Sequence, residues 1–172
     1  MMKVSSHGIA LIKEFEGFFS KEAYKCPAYK CPAGVWSIGY GSTHYEDGQA
    51  VKPGDVISQA YAEKLFQHDV AVIERQLIMA LNADEIIVSQ GQFDALVDFA
   101  YNLGASKLVN STLWKKLKAK DYESAANEFL KWNKIKVKVK NIVDGQVVVR
   151  FKLVEVKGLT RRRQAEKKLF LS

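Results

Sequence analysis

Two kinds of residue in the first forty positions carry chemistry. One is Glu16, set in Phe15-Glu16-Gly17 and followed by Phe18 and Phe19. A carboxyl lodged among aromatic rings is desolvated, its pKa rises, and it becomes able to donate a proton near neutral pH. The plainer reading of the same glutamate is a solvated residue at a helix end. The other kind is cysteine: Ala23 to Pro32 reads AYKCPAYKCP, the same five residues twice, with Cys26 in one copy and Cys31 in the other. Such a pair suits a metal or redox site, a stapled loop, or a duplicated piece of an active site in which one copy is in register. With His44 the two thiols offer three ligands where structural zinc wants four, and His7 and His68 lie in other segments, so neither a metal nor another cofactor is expected.

The elements that must position these groups can be read from periodicity and punctuation. Ile9, Ile12, Phe15 and Phe19 recur at helical spacing over residues 5 to 18, and Ser5 or Ser6 is placed to cap that helix. From Gly34 the stretch GVWSIGYGSTHYEDGQ interleaves glycine with aromatic and β-branched residues and carries the turn dipeptide Asp47-Gly48, which predicts a small β-meander. Helical periodicity resumes at Ser58 with Tyr61, Leu65, Val70, Ile73 and Leu77 on one face. Further helices are expected at about Ser89 to Leu103, Ser111 to Lys118, Tyr122 to Lys131 and Arg161 to Leu169. Residues 135 to 157 break the pattern: apolar and basic residues alternate on both sides of Asp144-Gly145, with Val137, Val139, Val149 and Phe151 at alternating positions. This predicts a basic β-hairpin inserted between helices. Its lysines suit a polyanion, and charged edge strands also prevent aggregation.

The expected class is α+β, with a small N-terminal lobe over about residues 1–60 and a larger helical lobe over about 61–172, together one domain of 172 residues. A formal charge of +7 favours an anionic partner. No apolar run is long enough for a signal core or a membrane span, so synthesis as a soluble cytoplasmic protein is expected, where thiols stay reduced.

Several blocks in order, LIKEFEGF, AYKCPAGVWSIGYGST, AEKLFQHDV, FDALVDFAYNLG, NSTLWKKL and KGLTRRRQAEKKLF, resemble the phage-type lysozymes, glycoside hydrolase family 24. The likeness spans most of the chain and omits the 135–157 hairpin and one copy of AYKCP. It implies a lysozyme-like fold and hydrolysis of the β-1,4 bond between N-acetylmuramic acid and N-acetylglucosamine in peptidoglycan. The family's catalytic pattern is a Glu before Gly, an Asp or Cys nine residues on, and a Thr six residues after that. The Glu falls on Glu16 and the Thr position on Ser37. Cys31 keeps the six-residue spacing to Ser37, while Cys26 lies ten residues after Glu16, so Cys31 is favoured and Cys26 stays open. An ordinary thiol is ionised to only about a few per cent at pH 7, but a thiol with Ser37 can position an attacking water, and inversion at the anomeric carbon is what the likeness implies. Asn102 and Ser111 resemble cleft positions, and Trp36 and Tyr40 are candidates to lie against sugar rings, with packing of a small sheet as the alternative.

Relatives often carry His where this chain has Ser42, able to pair with the acidic residue at Asp69; that ion pair is expected to be missing, with His44 as a substitute. Arg161, Arg162 and Arg163 are expected as a solvated basic face or a contact for anionic peptide stems. The charge raises nucleic acid as a partner, but no recognition pattern supports it and none is expected. The competing reading is a lysozyme-fold protein that binds the wall without cutting it, its site spoiled by the duplication and by Ser37. The enzyme reading implies a monomer, without stable membrane insertion, that reaches the wall once a phage holin opens the membrane.

Overall fold

A computed structural model describes residues 2–18, 25–31, 34–143 and 146–172, with the side chains of 141–148 outside that description. Phe19 and the Asp144-Gly145 turn therefore lie outside the described residues. The described elements run α1 (Ser6–Glu16), β1 (Lys25–Pro27), β2 (Tyr29–Lys30), β3 (Trp36–Ser37), β4 (Val56–Ser58), α2 (Gln59–Ala83), α3 (Gln90–Leu103), α4 (Ala105–Val109), α5 (Thr112–Lys118), α6 (Tyr122–Phe129), β5 (Lys134–Val143), β6 (Gln146–Glu155) and α7 (Lys157–Phe170).

Helix α3 is the axis of the helical body. Its residues from Phe93 to Ala100 are all buried, as befits a helix covered on every side. Phe99 packs edge-on against Phe129 and Trp132, and Trp114 of α5 fills the same core. Its start is fixed by a capping box, Ser89 with Gln92.

Two carboxylates on that buried helix, Asp94 and Asp98, are four residues apart and share a face. A buried charge is tolerated only with partners, and theirs come from the two ends of the chain. Asp94 accepts from the Ser5 backbone at 2.9 Å, from the Ser5 hydroxyl and from Gln90, and Ser5 in turn caps α1 through the Gly8 N–H. Asp98 accepts from Arg162 of α7. Helix α1 lies close on α3 because Gly8 has no side chain: a Cβ there would sit 2.9 Å from Asp94 and 2.5 Å from Val4.

The β elements are short antiparallel pairs. β1 pairs with β4, β2 with β3, and isolated bridges join Ile38 to Ser42 and His44 to Ala50. Their small core is Ile38, Val51 and Leu65, with Trp36, Tyr45 and Ile57 against it. The expected meander is thus present as fragments, because positive-φ glycines, Gly34, Gly39, Gly41 and Gly48 within it and Gly54 just beyond, turn the chain before strands can lengthen.

The hairpin β5–β6 forms in the expected place, pairing Lys134 with Glu155 through Val143 with Gln146. Each strand pairs along its whole length with the other, and neither packs substantially on another described element. Its root is pinned where Asn133 donates to Glu155 at 2.7 Å and to Thr160 at 3.1 Å. Two differences from the sequence reading concern helices: α4 was not foreseen, and α7 begins at Lys157 rather than Arg161, starting as soon as the hairpin ends.

Candidate active site

The two copies of the repeat have different structural fates. The first places Cys26 in β1 opposite Ile57 of β4, completely buried, where burial pushes its thiol pKa up. The second places Tyr29 and Lys30 in β2 opposite Trp36 and Ser37, and the Cys31 N–H then donates to the Val35 carbonyl at 2.9 Å. Cys31 is partly exposed and both cysteines are free thiols.

Cys31 faces a cleft of about 710 Å³ whose wall also includes Glu16, Tyr29, Ser37, Asp69 and Asn102. Glu16 ends α1 and enters this wall beneath Gly41, where a Cβ would lie 3.1 Å from Glu16 Oε2 and 4.0 Å from Tyr29 Oη. At φ +94°, Gly41 adopts a backbone that only glycine takes readily. Burial, with the nearby Glu16 and Cys31, raises the pKa of the Tyr29 phenol.

Glu16 has a partner that the aromatic environment in the sequence did not suggest. Arg162 Nη1 donates to its Oε1 at 2.6 Å, while the other face of the guanidinium is held by Asp98 at 2.9 and 3.0 Å. Phe15 lies against the guanidinium, 5.7 Å from ring centre to Cζ, and Phe18 packs on Tyr40 instead. Burial raises the Glu16 pKa above its ordinary value, and Arg162 opposes this without cancelling it. Burial alone would lower the Arg162 pKa, but Asp98 and Glu16 hold it well up, so the guanidinium stays charged. Beneath it, Glu166 is fully buried, 2.7 Å from Arg163, and burial raises its carboxyl pKa well above the usual range.

These contacts correct the reading of the three arginines. Only Arg161 is solvated, 3.7 Å from Glu14; Arg162 and Arg163 are buried and turn inward. Arg163 donates to Asn102 Oδ1 at 3.0 Å, which fixes that amide at the cleft wall. Arg162 and Asp98, which hold Glu16, were not among the site candidates read from the sequence, and nothing local in Arg161-Arg162-Arg163 marks which arginine turns inward.

Of the other candidates, Glu16, Cys31, Ser37 and Asn102 are brought together, and Cys26, Trp36, Tyr40 and Ser111 are not. Tyr40 is 7% exposed in the helical core and donates to Glu63. Trp36 packs on the small β core. Ser111 caps α5, accepting from Trp114 N–H at 3.1 Å and donating to the Leu108 carbonyl. All three are placed by packing or capping rather than by the cleft. At Ser42 the expected loss of an ion pair is met by a neutral replacement, since its hydroxyl donates to Asp69 at 2.6 Å. Burial raises the Asp69 carboxyl, against the pull of Ser42 and His68.

A helical body packed on short β pairs, with a glutamate, a thiol and a hydroxyl on the wall between them, is the arrangement of the lysozyme class. The phage lysozyme family matches residues 13–166, and the chain belongs to that family. It is 38% identical to the endolysin of Acyrthosiphon pisum secondary endosymbiont phage 1, covering 99% of each chain. It is 43% identical to the endolysin of Bacillus phage B103 over 99% of this chain but 55% of that protein, so it spans about half the length of that relative. Among solved structures it is similar to an endolysin from Escherichia coli O157:H7 phage FAHEc1, with TM-score 0.77 and 32% identity over 99% of this chain and 94% of that one. It is also similar to the muramidase domain of SpmX from Asticaccaulis excentricus, with TM-score 0.75 and 28% identity over 100% of this chain and 99% of that one.

Proposed function

We propose that the chain is a muramidase of the endolysin type, hydrolysing the β-1,4 bond between N-acetylmuramic acid and N-acetylglucosamine in bacterial peptidoglycan. The observation that carries this reading is Glu16: a carboxyl at the cleft wall, held by Arg162 and kept protonated above the ordinary range by burial. Glu16 protonates the leaving glycosidic oxygen as the C1–O bond breaks. A water held by Cys31 and Ser37 attacks C1 from the opposite face, and its proton leaves through that pair to solvent, giving inversion. Asn102, fixed by Arg163, binds the glycan. Burial of Cys26 in the β1–β4 pair supports this reading over a spoiled binding module, because the first copy's thiol sits away from the cleft and leaves the place on its wall to Cys31.

No helix among the described residues is long and apolar enough to cross a membrane. In this reading the protein works as a monomer and depends on a holin for access to the wall. Purified peptidoglycan is digested and the fragments reduced with borohydride for mass spectrometry. Reduced muramic acid ends are expected; reduced glucosamine ends, or cleaved peptide stems, would replace the reading with another hydrolase.

A further inference from the structure

The register of the β5–β6 hairpin produces an arrangement that the cleft does not use. Lys136 is opposite Leu153, Lys138 opposite Phe151, and Lys140 opposite Val149. Directly opposed residues of an antiparallel pair share a face. One face therefore presents a row of lysines, from Lys134 to Lys140, beside an apolar row formed by Val149, Phe151 and Leu153. The apolar row is open to solvent, with Phe151 59% and Leu153 65% exposed. Lys136 Nζ lies 4.4 Å from the Phe151 ring centre, so the two rows touch. Residues 134–155 hold six basic and two acidic side chains, more than half of the chain's net +7.

We propose that this face is a docking surface for an anionic phospholipid bilayer. A soluble polyanion would engage the lysines and leave Phe151 and Leu153 in water. A second copy of the chain would cover the apolar row but bring lysine row against lysine row. A bilayer interface meets both needs: the apolar side chains enter the boundary below the headgroups, and the lysine stems follow them while the ammonium groups stay among the phosphates. The hairpin lies on the membrane and does not cross it, because a lone two-stranded ribbon has open edges whose backbone groups would be unpaired in hydrocarbon. The adsorption is independent of glycan hydrolysis, since the hairpin and the cleft share no residue.

The full-length protein is co-sedimented with phosphatidylcholine vesicles, with and without phosphatidylglycerol, alongside Phe151→Ser/Leu153→Ser and Lys136→Gln/Lys138→Gln variants. Because the four substituted side chains are exposed and the hairpin packs little on other described elements, both variants should melt as the parent does and digest purified peptidoglycan normally. Binding is expected only with phosphatidylglycerol. Its partition coefficient should fall about fivefold for each lysine removed and about tenfold for each apolar residue removed. No binding of the parent to phosphatidylglycerol vesicles would overturn the proposal. So would binding indifferent to Phe151→Ser/Leu153→Ser, which would mark a polyanion site, or a parent dimer in ultracentrifugation that these substitutions dissolve, which would make a second copy the occupant.

Discussion

Replacing Arg162 by Met should destabilise the protein more than the loss of one charge suggests. The Arg162 side chain is 4% exposed and joins Asp98, at 0%, to Glu16, at 18%. Removing one member of a buried ion pair strands the other, at a cost of about 3–5 kcal/mol. For a chain of this size each kcal/mol moves the melting temperature by about 2–4 °C, so thermal unfolding followed by circular dichroism should shift down by about 6–20 °C. The double variant Arg162→Met/Asp98→Leu should recover much of that loss, because the fully buried Asp98 is no longer stranded and Glu16, 18% exposed, can take up a proton. Glu16 would feel the same change: without the Arg162 guanidinium, burial and the Asp98 charge are opposed only by the weaker pull of Arg163, and its pKa should move further up. The alkaline limb of the activity profile of any residual turnover in Arg162→Met should then lie at higher pH than the parent's. A single variant melting within about 3 °C of the parent, or a double variant no better than the single, would refute the reasoning.

The two cysteines should separate cleanly. Cys26→Ser buries a hydroxyl in the β1–β4 pair and should cost about 1–3 kcal/mol in urea unfolding while turnover per folded molecule is kept; Cys31→Ser should do the reverse, and Cys31→Asp should retain turnover. Gly41→Ala adds a Cβ 3.1 Å from Glu16 Oε2 at a left-handed backbone position, so it should destabilise by about 1–2 kcal/mol and lower kcat more than it raises KM. Glu166 binds its proton more tightly folded than unfolded, so its contribution is full below the ordinary carboxylate pKa and fades as pH rises through the raised folded value. The parent's urea midpoint should therefore decline as pH rises above the ordinary carboxylate range, and Glu166→Gln should flatten the decline.

Much of this architecture is legible along the chain, and the parts that are not have a common cause. Serine caps at Ser5, Ser58, Ser89 and Ser111 mark helix starts within a residue or two, because a cap acts on its own next few residues. Glu16, Cys31 and Ser37 are found from local spacing. Arg162 meets Glu16 across 146 positions, and no local pattern reports a partner that distant. Tyr40 and Trp36 illustrate the converse: an aromatic ring beside a glycine looks the same in sequence whether it faces a sugar or a core, and Tyr40 faces Phe18 and Phe66. The hairpin was a missed opportunity of another kind. The register pairs Val143 with Gln146 and so sets Val137 opposite Lys152 and Phe151 opposite Lys138. The expected alternating valines and phenylalanine therefore fall on opposite faces, Val149 and Phe151 beside the lysine row and Val137 and Val139 beside Lys152 and Arg150.

The most direct test of the whole account compares the parent with Glu16→Gln, a substitution that keeps the shape of the side chain and removes its proton. Binding to insoluble peptidoglycan and release of reduced muropeptides are measured on the same samples. The account predicts equal binding with release falling by about a hundredfold or more in Glu16→Gln. Release by Glu16→Gln near the parent's rate, or binding without release by the parent itself, would contradict it.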